Sequence, residues 1–278
     1  MLDSSRDLWA VVLAGGEDDS QTLLSHTLKR VGGLIPPSQT LAVTHVGHAA
    51  HIAGELAAHP AVRVLAQPCD RGSAAGVLLA AHWIQRRAPD AVVAVFPTNH
   101  FIVEESVFMS HVAAAGAYVR EHPGWLLLLG VRPTEPAPEH GWIEPGEPVG
   151  WTGGGAVHRV RAFHDEPPAD LALRLRGRAL CNTFVFTATV AALVDAGQAC
   201  VPLLHDRLTR FDLFTGTRYE AIALQQAYLF APTADFSRAV LASADVPLAV
   251  VEIPALTWWD LGTSERVARK VRVGARRE

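Results

Sequence analysis

The sequence predicts an α/β fold: a mixed, mostly parallel sheet with helices on both faces. Two observations carry this. Short apolar runs alternate with helical stretches through the first 131 residues. Those runs are apolar on both faces rather than on one, as strands buried between two helix layers must be. Helix-length connections between them are what parallel strands require.

The elements follow in order. "LWAVVLA" (8–14), "TLAVTH" (40–45), "VRVLAQ" (62–67), "AVVAVF" (91–96) and "WLLLLGV" (125–131) read as strands. Residues 21–31, 47–58, 73–86 and 105–121 read as the helices between them. The pattern then changes. "RPTEPAPEHGWIEPGEPVGWTGGG" (132–155) is rich in Pro and Gly, which excludes a helix. A small β excursion is expected over 130–163, with "AVHRVRAF" (156–163) alternating like a strand. "CNTFVFTA" (181–188) also reads as extended, and "PLAVVEI" (247–253) as a last strand. Helices are expected at 189–196, 202–209 and 219–228, and a final one from Glu265 with Ser264 as its cap. No internal repeat or low-complexity linker divides the chain, so residues 1–278 are expected to form one domain.

Composition narrows the function classes. The chain has 278 residues, 49% hydrophobic and 19% charged, enough for a sizeable core. Its 24 basic and 28 acidic residues give a net charge of −4, which favours neither nucleic acid nor an anionic membrane surface. Cys69, Cys181 and Cys200 form no CxxC pair, against a disulfide framework or a zinc knuckle. "MLDSSRDLW" lacks the basic and apolar regions of a signal peptide, and no apolar run is long enough to span a bilayer. The expectation is a soluble cytoplasmic protein.

Ligands on open parallel sheets bind outside the carboxyl ends of the strands. That rule places 14–19, 67–74, 97–101 and 132–135 near one another. The first of these is unusual. "LAGG" (13–16) reads like the start of a phosphate-binding loop, yet Glu17, Asp18 and Asp19 follow it. Acidic residues at a helix amino terminus are stabilised by the macrodipole, which explains them without a ligand. A new metal site is the alternative.

Eight segments, in order, resemble one family: "VVLAGG" (11–16), "LLSHTLKRV" (23–31), "AQPCDRGSAAGVLLAAHWI" (66–84), "VFPTNHFI" (95–102), "GVRPTEPAPEHGWIEPGE" (130–147), "VRAFHDEP" (160–167), "CNTFVF" (181–186) and "LTWWDLGT" (256–263). The chain is similar to the sugar-1-phosphate nucleotidyltransferases, and among them to the bacterial mannose-1-phosphate guanylyltransferases. The resemblance implies a Rossmann-like, glycosyltransferase-A-like nucleotidyltransferase fold. It implies the reaction of an NTP with a sugar 1-phosphate to give an NDP-sugar and pyrophosphate, with Mg2+ if the protein is active. Residue by residue, it places the nucleotide at Ala14, Gly15, Gly16, Gln67, Arg71, Gly72, Ser73, Ala74 and Asn99. It places the sugar at Glu144 and Asn182, and makes Asp260 the catalytic, metal-binding carboxylate. A nucleotide or nucleotide sugar, a paralogous nucleotidyltransferase and a second copy of the chain are the implied partners.

The departures from the family pattern all weaken phosphate chemistry. The family's G-G-x-G-x-R loop and its later Pro-Lys have no counterpart after Gly16. Its Pro-Ser-Asp-His is Pro97-Thr98-Asn99-His100 here, so an amide stands for a metal-binding carboxylate. Its Phe-x-Glu-Lys-Pro aligns with Phe163-His164-Asp165-Glu166-Pro167, where Glu166 replaces the lysine. A single arginine on a transferring phosphoryl group is worth about 10³–10⁵ in rate. The expectation is a family member with lost or severely reduced catalysis and a regulatory or binding role. An active enzyme with a remodelled phosphate site is the alternative, and whether the chain is an enzyme stays open. A dinucleotide oxidoreductase is disfavoured because no G-x-G-x-x-G follows a strand.

Other candidates have plainer readings. His45, His48 and His51 read as surface histidines rather than a metal site, and Asn99-His100 as a strand-end turn. Trp258 and Trp259 read as packing residues. Cys69 has no neighbouring base to make it a nucleophile. "TGGG" (152–155) lacks the strand and lysine of a P-loop. "TEPAPEHGW" (134–142) reads as a solvent-exposed loop.

Overall fold

A computed structural model describes residues 7–15, 20–133, 140–254 and 258–260. The expected final helix, Ser264 and Glu265 lie outside the described residues. The chain runs β1 (Leu8–Leu13), α1 (Ser20–Gly32), β2 (Thr40–His45), α2 (Val46–Ala57), β3 (Arg63–Gln67), α3 (Ser73–Gln85), β4 (Val92–Pro97), β5 (His100–Ile102), α4 (Glu105–Glu121) and β6 (Leu126–Val131). It continues with β7 (Trp142–Thr152), β8 (Gly155–His164), α5 (Ala169–Leu175), β9 (Leu180–Thr189), α6 (Val190–Cys200), α7 (Pro202–Asp212), α8 (Glu220–Leu229), a π-helical turn (Ser237–Leu241), β10 (Leu248–Ile253) and β11 (Trp258–Asp260).

Nine strands form one mixed sheet in the order β3-β2-β1-β4-β9-β6-β10-β8-β7. Only β8 and β9 oppose the other seven, so the sheet is mostly parallel. Successive side chains of a strand point to opposite faces, and both faces are covered. Val11, Val93 and Val95 pack toward α3, α6, α7 and α8. Ala10, Val12, Ala94 and Phe96 pack toward α1 and α4 through Leu24, Leu28, Phe108 and Val112. Phe96 is 1% exposed; truncating it to alanine would cost about 3–5 kcal/mol.

The expected β excursion is the antiparallel hairpin β7–β8. Its first strand carries Pro145, Gly146, Pro148 and Gly150, residues that weaken a regular strand. The ladder accommodates them by register shifts at Pro145, Pro148 and Gly150, which take those residues out of continuous pairing. Two glycines there also meet close neighbours. A Cβ on Gly150 would stand 2.7 Å from the Tyr118 ring, and one on Gly146 3.1 Å from the Arg159 carbonyl oxygen. "TEPAPEHGW" departs from the exposed loop expected of it at its end, because Trp142 is fully buried between β8 and β9. Residues 134–139 lie outside the described residues.

Two further features place the functional groups. A second, two-stranded sheet pairs β11 with β5 and sets Asp260 opposite His100, just beyond the end of β4. In β9, a bulge lies between the pairs Asn182–Gly130 and Phe186–Leu128. Asn182 Oδ1 accepts from the Phe184 amide (3.0 Å), Thr183 Oγ1 donates to the Leu129 carbonyl (2.7 Å), and Phe184 takes φ +56°. These bonds hold the bulge in a conformation that costs a non-glycine residue about 1–3 kcal/mol.

Candidate nucleotide-sugar site

The carboxyl ends of β1 and β4 are tied together, with Thr98 Oγ1 donating to the Leu13 carbonyl (3.2 Å). The Ala14 amide donates to the Val43 carbonyl at 2.8 Å, continuing the β1–β2 ladder. Gly15 follows, exposed and with open space where a side chain would be. Gly16, Glu17, Asp18 and Asp19 lie outside the described residues.

Beyond β4 opens a cavity of about 400 Å³. Ser73, Asn99, Asn182 and Asp260 line it, bringing together four of the residues singled out in the sequence. Asp165, Glu166, Asp235 and Arg238 complete much of the wall. Four carboxylates therefore face one cavity, and one guanidinium answers them. Arg238 Nε donates to Asp165 Oδ2 (2.6 Å) and its Nη2 to Glu166 Oε2 (3.2 Å). Sequence reasoning missed Arg238, which comes from the π-helical turn 72 residues beyond Glu166. No local motif announces it.

Asn99 and Asp260 meet directly. The Asn99 amide Nδ2 donates to Asp260 Oδ1 at 2.7 Å, and His140 Nε2 stands 3.3 Å from Asp260 Oδ2. Trp258 packs edge-on against His100 at 5.2 Å between ring centroids, and against His140 at 5.6 Å. Trp258 thus serves as packing, as its sequence suggested. His100 goes further than the strand-end turn expected of it, being buried as the first residue of β5.

A magnesium ion asks for oxygen ligands, carboxylates and phosphates above all. Asp260 offers one carboxylate, whose Oδ1 already accepts a hydrogen bond from the Asn99 amide and whose Oδ2 faces His140. Among the described residues, no group of three or more His, Cys, Asp or Glu side chains is arranged to hold a metal. The residues as arranged do not fit Mg2+.

The turn before α3 is bound from a distance. Gly72 adopts φ +78°, and a Cβ there would lie 2.3 Å from the Ala234 carbonyl oxygen. That carbonyl accepts from the Ala74 amide (3.1 Å), while the Ala234 amide donates to the Arg71 carbonyl (3.0 Å). Ser73 Oγ donates to Asp235 Oδ2 (2.7 Å) and accepts from the Phe236 amide (2.8 Å). Arg71 directs its guanidinium to the last turn of α8, donating to the carbonyls of Tyr228 (2.9 Å) and Leu229 (3.3 Å). Gln67 is buried and accepts from the Tyr228 hydroxyl at 3.0 Å.

Glu144 lies on β7 between Arg161 and His164. Its Oε2 accepts from Arg161 Nη2 (2.7 Å), and its Oε1 stands 2.8 Å from His164 Nε2. The hydrogen bond to His164, followed by that to Arg161, holds its carboxyl below the usual carboxylate range against the opposite pull of burial. Arg132 departs from the topology rule. It forks onto Glu252 (Nε to Oε1, 2.8 Å) and lines a separate cavity beside β8 and β10. Antiparallel β9 stands between β4 and β6, which carries the end of β6 away from Asn99.

The sequence matches no family model. It is 31% identical over 180 residues, 63% of this chain, to a mannose-1-phosphate guanylyltransferase of Sinorhizobium fredii. It is 26% identical over 152 residues, 54% of this chain, to a putative mannose-1-phosphate guanylyltransferase of Vibrio cholerae. These alignments span 34% and 31% of the relatives, so the chain matches about a third of their length. Among solved structures, a mannose-1-phosphate geranyltransferase of Thermus thermophilus superposes with a TM-score of 0.80 at 24% identity, over 95% of this chain and 78% of that one. A mannose-6-phosphate isomerase of Helicobacter pylori does so at 0.73 and 18% identity, over 91% and 100%. The chain is thus similar in sequence to mannose-1-phosphate guanylyltransferases over part of its length, and its fold is the α/β, Rossmann-like fold of nucleotidyltransferases.

Proposed function

We propose that residues 1–278 act as a single mannose-1-phosphate guanylyltransferase-like domain of the cytoplasm. In this reading the domain binds a nucleotide or nucleotide sugar in a regulatory or binding role, with nucleotidyl transfer lost or severely reduced. The observation that carries this is the hydrogen bond from Asn99 to Asp260, which satisfies the carboxylate without a cation. The charge of the wall supports it. Nucleotidyl transfer gathers negative charge on phosphate oxygens and needs fixed positive charge around them. Here the cavity's arginine is already paired with two of the four carboxylates.

Asn182 and Ser73, with Asn99, are assigned to uncharged recognition of the ligand. Glu144 is assigned to the sugar side, and Gly15, Gly16 and the 71–74 turn to the nucleotide side. One observation favours the alternative, an active enzyme with a remodelled phosphate site: Arg238 supplies a cation beside the position where relatives carry a lysine. The deciding experiment offers the protein Mg2+, GTP and mannose 1-phosphate and measures pyrophosphate. Release no greater than without protein is expected. Sustained turnover that Asp260→Ala abolishes would overturn the proposal and establish the alternative.

A further inference from the structure

Among the described residues twelve large hydrophobic side chains are exposed, and seven of them fall between residues 203 and 230, on α7, α8 and their connections. The paired helices α7 and α8 and their connections thus carry more than half of the large exposed apolar side chains among the described residues. Leu203 is 66% exposed and Leu213 71%.

The pattern along α7 identifies the occupant. Leu203, Asp206, Arg210 and Leu213 are all exposed. Their spacings of three, four and three place them in one stripe, since a helix turns once in 3.6 residues. The stripe is also symmetric about Leu208. Reversed and laid against itself, it sets Leu203 opposite Leu213 and Asp206 opposite Arg210, twice over. A two-fold interface demands this self-complementarity, in which residue i meets residue j and j meets i. Neither Asp206 nor Arg210 makes an ion pair among the described residues. Beside the stripe, Phe214 and Phe230 are 41% and 61% exposed, and Arg207 lies over the Phe230 ring at 5.4 Å. They extend the apolar surface on the flank of the helix.

We infer that the chain forms a two-fold dimer in which α7 packs antiparallel against α7 of a second copy. Each Asp206 faces the partner's Arg210, and Leu203 and Leu213 close the two ends. The inference does not depend on the nucleotide-sugar reading, since none of these residues lines that cavity.

Sedimentation equilibrium of the full chain and its charge variants tests it. The parent is expected to dimerise. Asp206→Arg sets like charges face to face, as does Arg210→Asp, and each is expected to weaken association roughly tenfold or more. Mixing the two variants sets opposite charges face to face again and is expected to restore the dimer, as is the double variant D206R/R210D. The parent remaining monomeric at about 100 μM, a range in which even weak specific dimers are populated, would overturn the inference. So would single variants that associate like the parent, or a mixture no tighter than either variant alone.

Discussion

Asn99 and Asp260 come from strand ends 161 residues apart, yet their side chains meet at 2.7 Å. The amide gives one oxygen of the Asp260 carboxylate a neutral hydrogen-bond donor. Asn99→Asp would put two carboxylates in that contact, one of which must take up a proton or share a metal. The variant is expected to lose about 1–3 kcal/mol at neutral pH. It should recover by several degrees in Tm with millimolar Mg2+ or Mn2+, where the parent does not respond. Thermal unfolding with and without metal checks this; equal metal responses would show that position 99 does not control cation binding.

The pairing of Arg238 with Asp165 and Glu166 leads to a second expectation. Glu166→Lys exchanges a negative wall charge for a positive one and leaves Arg238 with Asp165 alone. Calorimetric titration should find GDP-mannose bound more tightly by this variant than by the parent, and more weakly by Arg238→Gln. Both gains and losses should shrink as salt rises, because Arg238 and Glu166 are largely exposed. Unchanged affinities would place the diphosphate elsewhere.

Glu144 makes stability depend on pH. Its folded pKa is held below the ordinary 4.5 by His164 and Arg161. The contribution is therefore complete above the unfolded value and disappears as pH falls through the folded one. Glu144→Gln is expected to cost about 1–2 kcal/mol at pH 7. The gap to the parent should close as the solution is taken below the carboxylate range. Denaturant unfolding at several pH values measures it, and a gap independent of pH would rule out the charge as its origin.

Gly72 permits the chain to pass Ala234 where no side chain fits. Gly72→Ala meets both a positive φ and a backbone oxygen, so a loss of about 2–4 kcal/mol is expected. Gly15→Ala, facing open space, should be nearly silent by comparison. Paired thermal melts of the two variants distinguish a packed turn from a freely adjustable one.

What the sequence revealed and concealed divides along physical lines. Strands β1 to β4 and β6 were legible because strands covered on both faces are largely apolar on both, whereas the three-residue β5 read as a strand-end turn. The hairpin strand β7 was legible only as an excursion. Its prolines and glycines break the alternation, and the register shifts that accommodate them are set by pairing with β8 rather than by any local pattern. Candidate residues carried by short motifs, such as Asn99, Asn182 and Asp260, could be named in advance, and the fold brings them to one cavity. Arg238 could not, because its meaning comes from Asp165 and Glu166 across the fold. Arg71 is the converse: its motif was visible, but its bonds to the end of α8 were not.

The position of β9 bears on how the protein emerges from the ribosome. β4 and β6 do not touch in the sheet; β9 is inserted between them and joins the two halves. Pro97 closes β4, but Leu180 opens β9, so the free edge of β4 must wait for roughly 80 further residues, on the order of 4–16 s at 5–20 residues per second. Through that interval the nascent chain presents an unpaired, strongly apolar strand edge, the kind of surface that pairs with the wrong neighbour. The protein's yield in cells should therefore respond to translation speed and chaperone supply between codons 97 and 189 more than anywhere else in the message.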